Sequence, residues 1–160
     1  MPTVTINQFR ARQFGGAAGA YGNVTALPFR LNTNAIGAAI GSDSVAAIAS
    51  GDKVVLGILP AGMRLDDSML IVSTAMSASV TGTLGFEYED GVDSPAVPQD
   101  AAYFGTGLVL NATARLRNAT AKAPVVLPKP AKLILVTAGA ANAKASQIDL
   151  LITGELGLAR

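Results

Sequence analysis

Residues 81–90 read TGTLGFEYED, and this stretch decides the fold class of the chain. Its side chains alternate between two faces, with Leu84, Phe86 and Tyr88 on one and Thr83, Glu87 and Glu89 on the other. A period of two is the pattern of a β-strand that buries one face. Asp90-Gly91 follows at once, a dipeptide that favours a hairpin turn. The sequence therefore predicts a half-buried strand with a turn after it.

The same alternation occurs in three other parts of the chain. Leu27, Phe29 and Leu31 share one face, and Pro28 between them predicts an edge strand because proline cannot donate to a ladder. Residues 108–117 and 147–156 alternate in the same way, with apolar faces formed by Leu108, Leu110, Ala112, Ala114 and Leu116, and by Ile148, Leu150, Ile152 and Leu156.

Three shorter runs are apolar at nearly every position: Val54–Leu59, Met69–Val72 and Leu133–Val136. Runs of this kind are typical of strands covered on both faces. The alanine-rich segment Ala35–Ser50 is the one place that could hold a helix, although its glycines disfavour one, and a short strand at Val45–Ile48 fits the sequence equally well. About eight strands without regular strand–helix alternation predict an all-β fold, a β-sandwich or jelly roll, over residues 23–160.

Residues 1–22 differ from the rest and form a predicted extended N-terminal arm. Their glycine-rich half favours neither helix nor strand. The aromatic and basic side chains of this segment are Phe9, Arg10, Arg12, Phe14 and Tyr21. Because disordered tails are poor in aromatics, we predict that these five residues bind a neighbouring subunit, and a frayed terminus is the alternative.

The composition limits what the chain can do. Only 14% of its 160 residues are charged and the formal net charge is +1, against about 25% charged residues in a typical domain. So little charge leaves apolar surface exposed, which favours an interface and gives no basic field for nucleic acid. The apolar runs are too short to span a bilayer, and the N-terminus does not resemble a signal peptide, so we expect synthesis in the cytoplasm.

Catalysis has few candidate residues here. The chain contains neither Cys nor His, so the usual general base and thiol nucleophile are missing. We predict no catalytic residue, cofactor or metal. The carboxylates Glu87 and Glu89 are the one candidate pair for a hydrolase, and the segment Glu87–Asp93 is a weak candidate for calcium. A glycan-binding module is a further alternative, with Tyr88, Tyr103 and Phe104 as possible stacking platforms.

One segment carries a resemblance to a known family. Residues 50–65 read SGDKVVLGILPAGMRL, and the element Leu59-Pro60-Ala61-Gly62 between two apolar strands resembles the capsid cement (decoration) proteins of tailed bacteriophages. The resemblance implies a jelly-roll subunit that forms trimers on the outer capsid surface, with the major capsid protein as partner and the virion as location. A head or tail fibre component is a close variant. The family transfers no site residues.

Overall fold

The computed structural model describes residues 3–5, 24–118 and 120–156. In these ranges the chain is all β, without helix, and has ten strands. The strands are β1 (Thr3–Thr5), β2 (Val24–Thr33), β3 (Lys53–Leu59), β4 (Met63–Thr74), β5 (Thr81–Tyr88), β6 (Asp100–Val109), β7 (Ala114–Arg117), β8 (Val125–Val126), β9 (Ala131–Ala138) and β10 (Ser146–Leu156). The number is compatible with the prediction of about eight, since β1 and β8 are very short.

The strands form two sheets that pack face to face. The first has the order β1-β3-β9-β5-β6, and the second has the order β2-β10-β4-β7 with β8 beside β4. All the pairs are antiparallel except β1 with β3. The predicted β-sandwich is confirmed. β2 lies at the edge of its sheet, as Pro28 predicted.

The alternating side chains meet between the two sheets. The predicted inward faces of β2, β5 and β10 are buried, including Leu31, Phe86 and Ile148. Four aromatic rings pack edge to face near one side of this core, with centroids 4.9–5.9 Å apart; they are Phe86, Tyr88, Tyr103 and Phe104. Burial of these alternate positions holds the sheets together, because each buried large apolar side chain contributes about 1.5–3 kcal/mol.

The structure corrects three predictions of single elements. Residues 108–117 comprise the end of β6, a loop and β7, which lie in different sheets, and Ala112 of the predicted buried face is exposed in the loop. The run Met69–Val72 is covered on one side only, with Met69 and Ile71 half-exposed on the outer face. Segment Ala35–Ser50 is neither helix nor strand but a loop with isolated bridges, because Gly37 and Gly41 take positive φ there.

β1 is part of the predicted arm and lies in the sheet. Val4 is buried in the core, and the Thr5 backbone is bound by Asp43, whose Oδ1 accepts from the Thr5 N–H at 2.9 Å. The arm residues predicted to bind a neighbouring subunit lie outside the described residues: Phe9, Arg10, Arg12, Phe14 and Tyr21. Their role stays a prediction.

Candidate functional site

The loops of the sandwich gather at two opposite ends. Strand register places Thr33 beside Ser146, Thr74 beside Gln147, and Thr81 beside Ala138. The loops that continue from these positions therefore share one end, which we call the apolar end; they comprise residues 34–52, 75–80, 110–113 and 139–145. The loops of the opposite end, called the charged end, comprise residues 60–62, 89–99, 120–124 and 127–130, with the two-residue strand β8 between the last two.

The apolar end exposes three large aliphatic side chains within ten residues. Ile36, Ile40 and Val45 are 61%, 55% and 89% exposed. Alanines extend this surface around them, and the exposed ones are Ala35, Ala46, Ala49, Ala78, Ala112, Ala141, Ala143 and Ala145. Exposed aliphatics are ordinary on a protein surface, and the opposite end also exposes Val24, Val92 and Val126. The apolar end differs because its aliphatics lie among exposed alanines, and a continuous apolar surface is typical of an interaction site.

The apolar end also has little charge. Its four loops contain three ionisable side chains, Asp43, Asp52 and Lys144. Asp52 is buried and accepts a hydrogen bond from the Ala49 N–H at 2.8 Å, so it stabilises the loop and adds no charge to the exposed surface. The same loops contain no aromatic residue and no arginine. A partner of this end must therefore be recognised by apolar contact and shape.

A buried amide fixes the loops of the apolar end to one another. The Asn142 side chain donates from Nδ2 to Thr33 Oγ1 at 3.0 Å and to the Lys144 carbonyl at 2.9 Å, while its Oδ1 accepts from the Ser77 N–H at 3.0 Å. Its own backbone N–H donates to the Ile48 carbonyl at 2.8 Å. Three loops thus meet at one fully partnered residue that is 1% exposed, an arrangement that rigidifies its surroundings.

The exposed aliphatics stand on a loop with a defined backbone. Ile40 donates to the Asn32 carbonyl at 2.8 Å, and Ile48 donates to the Gly37 carbonyl at 3.1 Å. Gly37 has φ +84°, and a Cβ there would lie 2.1 Å from the Asn142 carbonyl oxygen. The loop passes so close to Asn142 that only glycine fits, so Ile36 and Ile40 project from a preorganised surface.

The charged end is built from ion pairs. Lys129 Nζ lies 2.7 Å from Asp90 Oδ2 and 4.6 Å from the centre of the Tyr88 ring. The hydrogen bond from Lys129, helped by the Val92 N–H, lowers the pKa of Asp90. Asp93 Oδ1 accepts from the Ser94 and Gln99 N–H groups. These carboxylates are thus used to shape the hairpin, and the described residues contain no group of three or more metal-ligating side chains.

The candidate residues for glycan binding and hydrolysis have structural roles. Tyr88, Tyr103 and Phe104 are 0%, 5% and 1% exposed, so the prediction that they offer a stacking platform is wrong. Burial raises the pKa of both tyrosines. Their hydroxyls donate inward, Tyr88 to the Val97 carbonyl at 2.5 Å and Tyr103 to the Ala123 carbonyl at 3.0 Å.

The carboxylate Glu87 is engaged on the outer face of the first sheet. Its Oε2 lies 2.5 Å from Lys53 Nζ. Strand register places Ile134 between these two residues on the same face, so the ion pair spans Ile134, which is buried. Glu89 lies beyond the end of β5 and is exposed. The two carboxylates therefore differ in environment: Glu87 is paired and stabilises the first sheet, whereas Glu89 is exposed.

Comparison with known proteins identifies structures of the same fold. No protein-family model and no curated protein sequence matches this chain. A chain in the capsid of Ralstonia phage GP4 superposes with a TM-score of 0.65 over 99% of this chain and 100% of its own length, at 17% identity. A chain of the cyanophage Pam1 capsid asymmetric unit has a TM-score of 0.54 over 94% and 99%, at 13% identity. The similarity therefore extends over the whole sandwich.

In residues 3–5, 24–118 and 120–156, no helix is long and apolar enough to cross a membrane.

Proposed function

We propose that this chain is a non-catalytic structural protein of a tailed-phage virion, which binds the outer capsid surface as a trimer and stabilises the shell. The observation that carries the proposal is the shared fold with chains of two phage capsids over nearly the full length. The partner is the major capsid protein. The N-terminal arm supplies a further contact between subunits.

The physical properties of the surface support this role. A cement protein gains affinity by avidity, since the second and third contacts of a trimer are intramolecular once the first has formed. It stabilises the assembled shell because it binds that state and not the free subunits. Both effects need a rigid surface that excludes water, and neither needs a reactive group. The buried tyrosines and the Lys53–Glu87 pair leave the glycan-binding and hydrolase alternatives without their candidate residues.

The test uses the full chain and capsids of the phage that encodes it, prepared without this protein. We expect a trimer by light scattering at micromolar concentration, co-sedimentation with the capsids, and higher resistance of the loaded shells to heat. A monomer without affinity for capsids would contradict the proposal. Imaging of labelled virions separates the capsid surface from a head or tail fibre.

A further inference from the structure

We infer that the apolar end is the surface that docks on the capsid shell and that the charged end faces the solvent. The inference rests on the proposed function and adds to it the direction in which the subunit binds. Its basis is a difference in charge: the apolar end has exposed aliphatics and alanines on a fixed backbone with few ionisable groups, whereas the exposed valines of the other end lie among paired charges.

The first argument is chemical. The apolar end exposes Ile36, Ile40 and Val45, and its loops contain no aromatic residue or arginine. Nucleic acid would need cations or stacking rings. A membrane interface favours Trp, Tyr and Lys, and glycan recognition needs polar and aromatic groups. Exposed aliphatic and alanine side chains with little charge around them are complementary to a flat, apolar protein surface.

The second argument is mechanical. Binding loses less free energy to ordering when the contact surface is already fixed. The loop that carries Ile36 and Ile40 is held by main-chain hydrogen bonds and by the contact between Gly37 and Asn142. In this loop the small Ala38 and Ala39 are buried, whereas the larger Ile36 and Ile40 on either side of them are exposed to solvent. Exposed aliphatic side chains on a fixed loop are suited to binding a partner outside the chain.

The third argument concerns symmetry and decides between the shell and a second copy. In a closed trimer of subunits standing side by side, all three apolar ends point the same way along the axis. They then form one composite surface that meets the shell. Contact between the apolar ends of two copies would instead be isologous and would produce a dimer. The apolar end of a trimer is therefore left for the capsid.

The experiment compares matched surface variants of the full chain. The apolar-end variant carries Ile36→Ser, Ile40→Ser and Val45→Ser, and the control carries Val92→Ser and Val126→Ser at the charged end, where these valines are 62% and 53% exposed. Both are titrated against capsids that lack this protein, after thermal unfolding has verified that they fold. We expect the apolar-end variant to bind at least tenfold more weakly, and the control to bind like the unmodified chain.

A labelling experiment keeps the test valid if the triple variant does not fold. The chain has no cysteine, so Ala46→Cys and Val92→Cys each offer one thiol for a bulky maleimide. We expect the label at residue 46 to block binding and the label at residue 92 to leave it intact.

Each other outcome has a defined meaning. Normal binding of the apolar-end variant, or a loss of binding in the control alone, overturns the inference and leaves the proposed function standing. An apolar-end variant that changes from oligomer to monomer shows that the occupant is a second copy, which also overturns it. Failure of the unmodified chain to bind capsids removes the proposed function, and the inference with it.

Discussion

The two ends of the sandwich hold the long connections between their strands by different interactions. The apolar end does so with a buried amide, Asn142, and with tight backbone contacts, whereas the charged end uses exposed pairs such as Lys129 with Asp90. Buried hydrogen bonds are costly to break, while exposed ion pairs contribute about 0–1 kcal/mol. This difference indicates that the apolar end, which has less charge, is the more rigid one.

A pair of glycine substitutions gives the largest expected contrast between the ends. Gly37 and Gly91 both have positive φ, but a Cβ at Gly37 meets the Asn142 carbonyl whereas nothing lies within 4 Å at Gly91. We expect Gly37→Ala to lower the free energy of unfolding by about 3–5 kcal/mol, and Gly91→Ala by about 1 kcal/mol, the cost of the left-handed conformation alone. Denaturant unfolding measures both. Equal losses would show that the close approach in the apolar end is unimportant.

Removal of one amide at each end tests the role of buried hydrogen bonds. Asn142→Ala leaves the Ser77 N–H and the Lys144 carbonyl without their bonds to this amide, while Thr33 keeps its bonds to the Lys144 carbonyl and to Ser146, so we expect a loss of about 2–4 kcal/mol. Asn118→Ala, the control near the charged end, removes the acceptor of the half-buried Thr120, and we expect about 1 kcal/mol or less. Chemical denaturation distinguishes the two values. Similar values would contradict the view that rigidity is concentrated at the apolar end.

The charged end also has inward anchors, and the Tyr88 hydroxyl is the one that holds the hairpin at 89–99. Tyr88→Phe removes its hydrogen bond to the Val97 carbonyl but keeps the ring, so we expect a loss of about 1 kcal/mol in the free energy of unfolding. The hairpin at 89–99 should also be cleaved more readily in limited proteolysis. Unchanged stability and cleavage would mean that the ion pairs alone hold this hairpin.

The smallest expected effect is a dependence on pH at the charged end. The pKa of Asp90 is lowered from its ordinary value of 3.8, so the folded state favours the ionised carboxylate. Its stabilising contribution is fully present above the ordinary pKa and is lost as the pH falls through the lower pKa of the folded state. We therefore expect the unmodified chain to have a slightly higher Tm than Asp90→Asn at pH 7, and the two to converge as the pH falls below the ordinary pKa of 3.8 and through the lower pKa of the folded state.

A constant difference between the two proteins across this pH range would show that Asp90 does not stabilise the fold through its charge. Asp149 does not disturb the comparison, because it is present in both proteins. Burial raises the pKa of Asp149, but hydrogen bonds from Gln147 and Arg30 outweigh that effect and leave it lowered.

Much of the fold could be predicted from local patterns. The alternation in residues 81–88 and 147–156 identified buried faces correctly, because side chains on a strand point to opposite sides. Pro28 identified an edge strand for an equally local reason. The pattern did not reveal that residues 108–117 change sheets, since apolar residues alternate through the loop in the sequence although Ala112 there is exposed.

The candidate site could be predicted only in part from the sequence. The low charge of the whole chain predicted an exposed apolar surface, but not its location. Ile36, Ile40 and Val45 lie in a segment read as helix or strand, and their exposure depends on loops that are distant in sequence. The importance of Asn142 was also missed, because a single asparagine in an alanine-rich loop carries no pattern. Conversely, Tyr88 and Tyr103 were considered as surface platforms, although alternation already placed Tyr88 on the buried face.

By itself, the sequence determined that this protein is a β-sandwich with few charges and without histidine or cysteine, because strand periodicity and composition act locally and need no partner. Only the tertiary structure decided which side chains remain in water. It brought four separate loops to one end and joined three of them at Asn142, and at the other end it paired Asp90 with Lys129. Exposure is a property of the whole packed arrangement, so no single segment could specify it.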